Sequence, residues 1–265
     1  MDIAGYLASI FIGIALGLIG GGGSILTVPV LVYLFSLDAV LATAYSLFIV
    51  GATSVVGSFS YFKKGLVNIK TAIVFGIPSI AAIFLTREYL LPAIPQEIFT
   101  IGSYTITKNI FLMLLFAVLM VAASYSMIKE EKQTNDEALQ NRQFNYWEIL
   151  FQGIMVGAIT GMVGAGGGFL IIPVLVKLLK LPMKTAVGTS LVIISINSLM
   201  GFLFSLSHTS IQWGFLLTIA AIAIIGILIG SYLSTKIKAS KLKPAFGWFV
   251  LVMGIYIIIK ETLRI

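Results

Sequence analysis

Two glycine-rich runs, GLIGGGGSILTVP at 17–29 and GMVGAGGGFLIIP at 161–173, are the places where this sequence can do chemistry. An interior glycine costs a helix about 1 kcal/mol relative to alanine. Gly20, Gly21, Gly22 and Gly23 in succession should therefore interrupt a helix, with Ser24 placed to cap the next one. Gly164, Gly166, Gly167 and Gly168 repeat the interruption. A helix that restarts after a break presents free N–H groups and the positive end of its dipole. Small anions are the natural guests of such a site. A nucleotide phosphate loop does not fit, because GGGGS lacks the lysine of G-x-x-x-x-G-K-[ST].

Side-chain partners come from the segment that follows each run. Thr43, Tyr45, Ser46, Thr53 and Ser54 correspond in region to Thr189, Ser190, Asn197 and Ser198. Serine and threonine often bond back to their own helix, a role that competes with binding for each of them. Asn197 stands apart, since an amide deep in an apolar segment needs partners. Ser46, Thr189, Ser190 and Asn197 therefore join the two glycine runs and Ser24 as the candidate binding set. The outer glycines at four-residue spacing, Gly13/Gly17, Gly157/Gly161 and Gly226/Gly230, are assigned to helix packing instead.

The elements that must hold these residues follow from composition. Of 265 residues 59% are apolar and 10% charged, against about 45–50% and roughly 25% in soluble domains. So few charges cannot cover a water-facing surface, which argues against a soluble enzyme. Ten apolar segments, from 3–19 to 245–260, account for most of the chain. The start is uncharged over 3–37 but has no basic leader, and is taken as a membrane segment rather than a signal peptide. With no cysteine and one histidine, His208, neither a thiolate nor a multi-histidine metal site can be built, and no cofactor is called for. The net charge of +7 fits basic cytoplasmic loops and not nucleic-acid binding. Trp147, Trp213 and Trp248 are expected at the membrane interfaces.

The chain is duplicated. A shift of 144 positions lays Gly13, Gly17, Gly20, Gly22 and Gly23 on Gly157, Gly161, Gly164, Gly166 and Gly167, and Pro29–Val32 on Pro173–Val176. Loop charge is opposite in matching loops. Lys63, Lys64 and Lys70 have no basic counterpart near 207–214, whereas Lys177, Lys180 and Lys184 face a loop that holds only Asp38. Lys236, Lys238, Lys241 and Lys243 match the charge-balanced stretch 87–108. Because Lys/Arg-rich loops stay inside, the two halves are expected to insert in opposite directions. The expected fold is an all-α polytopic membrane protein of two inverted repeats, each a glycine-broken hairpin followed by three crossings. The repeats are 1–128 and 147–265, joined by a polar cytoplasmic linker at 129–146. Loops 33–40, 87–108 and 207–212 and both termini then lie outside.

Backbone interrupted at membrane depth must be buried in protein or line a water-filled cavity. Two breaks in matching positions of inverted halves fit a transport site at the midplane. No carboxylate, lysine or arginine is expected within a span, which disfavours a proton relay. His208 is expected as a solvated loop residue.

The repeated motif G-x-x-x-G-x-x-G-x-G-G-x-x-x-x-x-P-x-L, with LPMKTAVGTSL at 181–191, resembles the sulfite exporter TauE/SafE family of membrane transporter proteins. The first half departs from it with LDAVLATAYSL at 37–47. The resemblance spans nearly the whole chain. It implies carriage of small sulfur-containing or carboxylate-like anions, such as sulfite, sulfoacetate and related sulfonates, across the cell inner membrane. An anion channel and a non-transporting membrane assembly protein stand as alternatives. The partners implied are a small anion and the lipid bilayer; a homo-oligomer is left open.

Overall fold

A computed structural model describes residues 2–101, 104–129, 146–177, 179, 181–207, 209–234 and 239–263. Helix α1 (Asp2–Ile19) leads into a 3-10 turn (Gly21–Leu26) and α2 (Thr27–Tyr33). Helices α3 (Ala39–Lys63) and α4 (Ile69–Leu85) follow. A π-helical turn (Thr86–Leu90) and α5 (Leu91–Ala93) extend α4, and then come strands β1 (Glu97–Ile101) and β2 (Tyr104–Thr107) and helix α6 (Lys108–Ile128). The second half holds α7 (Tyr146–Val163), α8 (Gly168–Lys177), α9 (Met183–Ser205), α10 (Trp213–Ser234) and α11 (Ala239–Leu263). Helix starts carry their own signals. Asp38 accepts from the N–H groups of Val40 and Leu41, Asn68 from that of Thr71, and Thr107 from that of Ile110.

Among the described residues six helices are long and apolar enough to cross a membrane: 39–63, 69–93, 108–128, 183–205, 213–233 and 244–263. The remaining apolar helices, 4–19, 21–33 and 147–163, are shorter. The protein is an all-α polytopic membrane protein. Among the described residues the strands form an antiparallel β1–β2 hairpin, which pairs Phe99 with Ile106 and Thr100 with Thr105 in a stretch expected to be plain loop. The linker residues 130–145, with Lys180, His208, Lys236 and Lys238, lie outside the described residues, as do the side chains of Lys177, Lys241 and Lys243.

Packing follows small residues. A Cβ on Gly13 would sit 2.8 Å from Gly226 Cα, and one on Gly17 would sit 2.8 Å from Gly230 C, so α1 lies parallel to and against α10. Gly153, Gly157 and Gly161 bring α7 equally close to Phe75, Ser79 and Thr86 of the α4 rod, again in parallel. By contrast, Gly51 meets Leu199 while Gly201 meets Leu47, so α3 and α9 run antiparallel. Gly247 meets Ile128 and Gly254 meets Met120, which makes α6 and α11 antiparallel too. Close backbone approach at glycine is how helices gain contact where lipid offers no hydrophobic drive.

Two hydrogen bonds repeat the same exchange of partners. The N–H of Asn68, just before α4, donates to Thr189 Oγ1 on α9 at 2.9 Å. The N–H of Gln212, just before α10, donates to Tyr45 Oη on α3 at 2.7 Å. Asn68 and Gln212 are equivalent under the 144-residue shift, as are Tyr45 and Thr189. Polarity is arranged inside-out: Ser24, Thr27, Thr53, Arg87 and Asn197 are buried, whereas Phe59, Ile77, Leu228 and Val252 are exposed. Trp147, Trp213 and Trp248 are exposed as well.

Candidate functional site

The two glycine runs meet. A Cβ added to Gly168 would lie 2.2 Å from the carbonyl oxygen of Gly21, and one added to Gly21 would lie 2.7 Å from Gly168 Cα. No side chain fits between backbones this close. The first run breaks at Gly20, whose φ of +77° sits in the left-handed region that glycine tolerates. Gly21, Gly22, Gly23 and Ser24 then continue as 3-10 helix instead of forming an open loop. This corrects the expected restart at Ser24. Its Oγ donates to the Gly21 carbonyl at 2.8 Å, inside the turn, and α2 has no side-chain cap. The second run unwinds further. Gly164, Gly166 and Gly167 all have φ between +67° and +72°, and α8 begins at Gly168 as expected. Gly20 to Ser24 and Gly164 to Gly168 are all buried.

Buried hydroxyls divide into two groups. Thr53 Oγ1 donates to the Ile49 carbonyl, Ser190 Oγ to that of Val187, and Ser195 Oγ to that of Val192, the usual self-bonding within a helix. Thr189 accepts from Asn68 as described above. The other group has no hydrogen-bond partner among the described residues: Thr27, Ser46, Ser54, Thr71, Thr160 and Ser198, together with Asn197 Oδ1. Leaving such a group buried and unpaired costs about 1–3 kcal/mol. Two of them lie against the breaks. A Cβ on Gly166 would sit 2.8 Å from Ser198 Oγ, and one on Gly167 would sit 2.3 Å from Thr160 Oγ1. Asn197 reaches across from α9 to α4, its Nδ2 donating to Ser79 Oγ at 2.7 Å. Thr160 was absent from the expected set; its signal was a lone hydroxyl four residues ahead of Gly164 in an apolar helix.

A larger correction concerns Arg87 and Lys108. Neither was expected within a span, nor was any carboxylate, yet candidate spans hold both of them and also Glu88, Lys260 and Glu261; Arg87 and Lys108 are 3% and 6% exposed. Arg87 lies on the π-helical turn that carries α4 onward. Its Nη1 donates to Thr43 Oγ1 at 3.1 Å, and Nε and Nη2 have no hydrogen-bond partner among the described residues. Thr43 in turn is the neighbour of the second break, since a Cβ on Gly164 would sit 2.5 Å from the Thr43 carbonyl oxygen. Lys108 Nζ donates to the Leu91 carbonyl at 2.5 Å. Taking an unpaired ion out of water costs several kcal/mol, so this placement has to be offset elsewhere.

Arg87 and Lys108 line a cavity of about 490 Å³ with Asp38, Leu41, Gln96, Ser205, Thr209 and Ser210. Asp38, Gln96 and Ser210 are exposed at its rim, and Arg87, Lys108 and Ser205 are buried at its floor. The three loops expected on the outer side contribute all of these polar groups except Ser205, which ends α9. The Asp38 carboxylate is engaged, accepting from two backbone N–H groups of α3 and from Asn109 Nδ2 at 2.5 Å.

Comparison with known proteins places this architecture. Probable membrane transporter proteins from Xylella fastidiosa, Methanocaldococcus jannaschii and Bacillus subtilis are similar along nearly the whole chain. The Xylella protein (strain 9a5c) is 30% identical over 93% of this chain and 91% of its own. The Methanocaldococcus protein is 25% identical over 96% and 94%, and the Bacillus protein YunE 25% identical over 91% of each. No solved structure matches. The family model for the sulfite exporter TauE/SafE covers residues 6–257. With five of the six apolar spans wholly inside that match and the sixth mostly so, the chain belongs to the sulfite exporter TauE/SafE family of membrane transporters.

Proposed function

We propose that this transporter carries small sulfur-containing anions, sulfite and organosulfonates such as sulfoacetate, by alternating access of two oppositely inserted halves. The observation that carries the reading is the meeting of Gly21 and Gly168, one from each half, with unpartnered hydroxyls of Thr160 and Ser198 beside them. In the compact arrangement the two backbones close on each other. When the halves rock apart, Gly20–Ser24 and Gly164–Gly168 offer N–H groups to an oxyanion, and Ser46, Thr160, Ser198 and the amide of Asn197 complete its shell. Reciprocal packing supports the rocking halves, because equivalent helices either pair antiparallel with each other or exchange partners.

The test is flux in liposomes holding the purified protein. Saturable uptake of sulfite or sulfoacetate, accelerated by the same anion on the far side, is expected. Movement of a cation with neither sulfite nor any sulfonate would overturn the reading.

A further inference from the structure

The cavity at Arg87 is separate from the glycine contact and asks for its own occupant. We propose that it is an oxyanion-binding site, in which the free edge of the Arg87 guanidinium grips a sulfonate- or carboxylate-type head group in two-point fashion. Nη1 is spent on Thr43, and Nε and Nη2, which share one edge of the planar fork, are left without partners. That edge matches two oxygens of a single oxyanion. Lys108, whose ammonium uses one donor on Leu91, adds a second positive charge on the same wall. Asp38 keeps its negative charge in the same cavity, but its oxygens accept from the start of α3 and from Asn109 and leave the Arg87 edge unpaired, so the two cations still exceed it by one charge. Thr209 and Ser210 bring hydroxyls from the other half of the chain, with Thr209 already donating to the Ser205 carbonyl. Apolar Leu41 and Leu91 beside the floor suit the short carbon tail of an organic anion over a fully hydrated inorganic one.

The location says what the site is for. Its residues come from 38–41, 87–108 and 205–210, the stretches at one face of the molecule. Arg87 is joined through Thr43 to Gly164, at the edge of the second break. An anion held here sits one residue away from the proposed path, as a recognition stop before it. This assignment of place rests on the transport reading; the binding itself does not.

The experiment measures binding of sulfoacetate, acetate and sulfate to detergent-purified protein by tryptophan fluorescence at constant ionic strength, alongside flux in liposomes. Arg87→Gln should weaken sulfoacetate binding about tenfold to hundredfold, and Arg87→Lys should restore part of it. Ser210→Trp, at the exposed rim, should block the cavity without touching the buried arginine, and so serves if Arg87→Gln does not fold. Affinity unchanged in Arg87→Gln or in Ser210→Trp would overturn the site while leaving transport standing. Arg87-dependent binding in a protein that moves no oxyanion would overturn the transport reading and leave the site. Sulfate bound as tightly as sulfoacetate and acetate would overturn the preference for an organic anion.

Discussion

Gly21 and Gly168 set the distance between the two breaks, and the consequence can be read at a single atom. Alanine at 168 would press a methyl against the Gly21 carbonyl, which is backbone and cannot swing aside. Overpacking of this kind costs about 1–3 kcal/mol. Gly168→Ala should therefore lower the melting temperature in detergent and impair flux. Gly76→Ala is the control. Gly76 lies inside α4 with nothing within 4 Å of an added Cβ, so alanine there should be neutral or stabilise by up to about 1 kcal/mol. Equal melting of both variants would mean that the closeness of the breaks is unimportant. The glycine runs were legible in the sequence because composition cannot place them twice by accident. Where the first run turns was not. Propensity penalises Gly20 to Gly23 alike, so it cannot single out Gly20, which alone of the four takes a left-handed φ. Arg87 was hidden for a different reason. Beside Glu88 it looks neutralised, but adjacent residues on a helix do not face each other. The arginine turns in towards Thr43, and Glu88 accepts from Ser207 Oγ.

Elements in this molecule are joined twice over by one device. Asn68 N–H to Thr189 and Gln212 N–H to Tyr45 each tie the turn before one helix to the flank of another, in equivalent places of the two halves. The duplicated segments fix which residues correspond, and the geometry shows that a threonine and a tyrosine do the same work. That equivalence could not be read from side-chain type, because the two hydroxyls stand on stems of different length. Thr189, expected beside cargo, accepts from the Asn68 N–H, and Ser190, expected there too, donates to the Val187 carbonyl. Removing either tie should leave an N–H unpaired at a cost of about 1–3 kcal/mol. Thr189→Val and Tyr45→Phe are thus expected to melt at lower temperature by similar amounts. If the ties hold the closed positions of a rocking pair, each single variant should also shift the balance of access to one side, in opposite directions. Limited accessibility of Lys64→Cys and Ser210→Cys to a thiol reagent, measured in each background, reads that balance. The same direction of change in both would speak against rocking. The β1–β2 hairpin shows the limit of reading elements from hydropathy alone. IFTI is rich in β-branched and aromatic residues and YTIT alternates as strands do, within a stretch judged only by its charges.

Orientation belongs to the molecule as a whole, and two independent lines bear on it. Loop charge puts 33–40, 87–108 and 207–212 on one side and 63–70 and 177–184 on the other. Geometry groups them the same way without reference to charge. Asp38, Gln96 and Ser210 share the rim of one cavity, whereas Asn68 is bonded to Thr189 and a Cβ on Gly188 would sit 2.3 Å from the Leu66 carbonyl oxygen. Antiparallel pairing of α3 with α9 and of α6 with α11 fits the proposed inversion, in which equivalent helices cross in opposite directions about a two-fold axis lying in the membrane plane. The charge rule alone supplies the absolute sense, so that is where the argument is exposed. With no native cysteine, each position can be probed singly. Gln96→Cys and Ser210→Cys are expected to react with an impermeant thiol reagent added to intact cells, and Lys64→Cys and Lys184→Cys only after the membrane is opened. The reverse pattern would keep the architecture and invert it, placing the Arg87 cavity on the cytoplasmic face. Labelling of Lys64→Cys and Gln96→Cys from the same side would be fatal to the fold itself, because the single apolar rod at 69–93 separates them and must cross once.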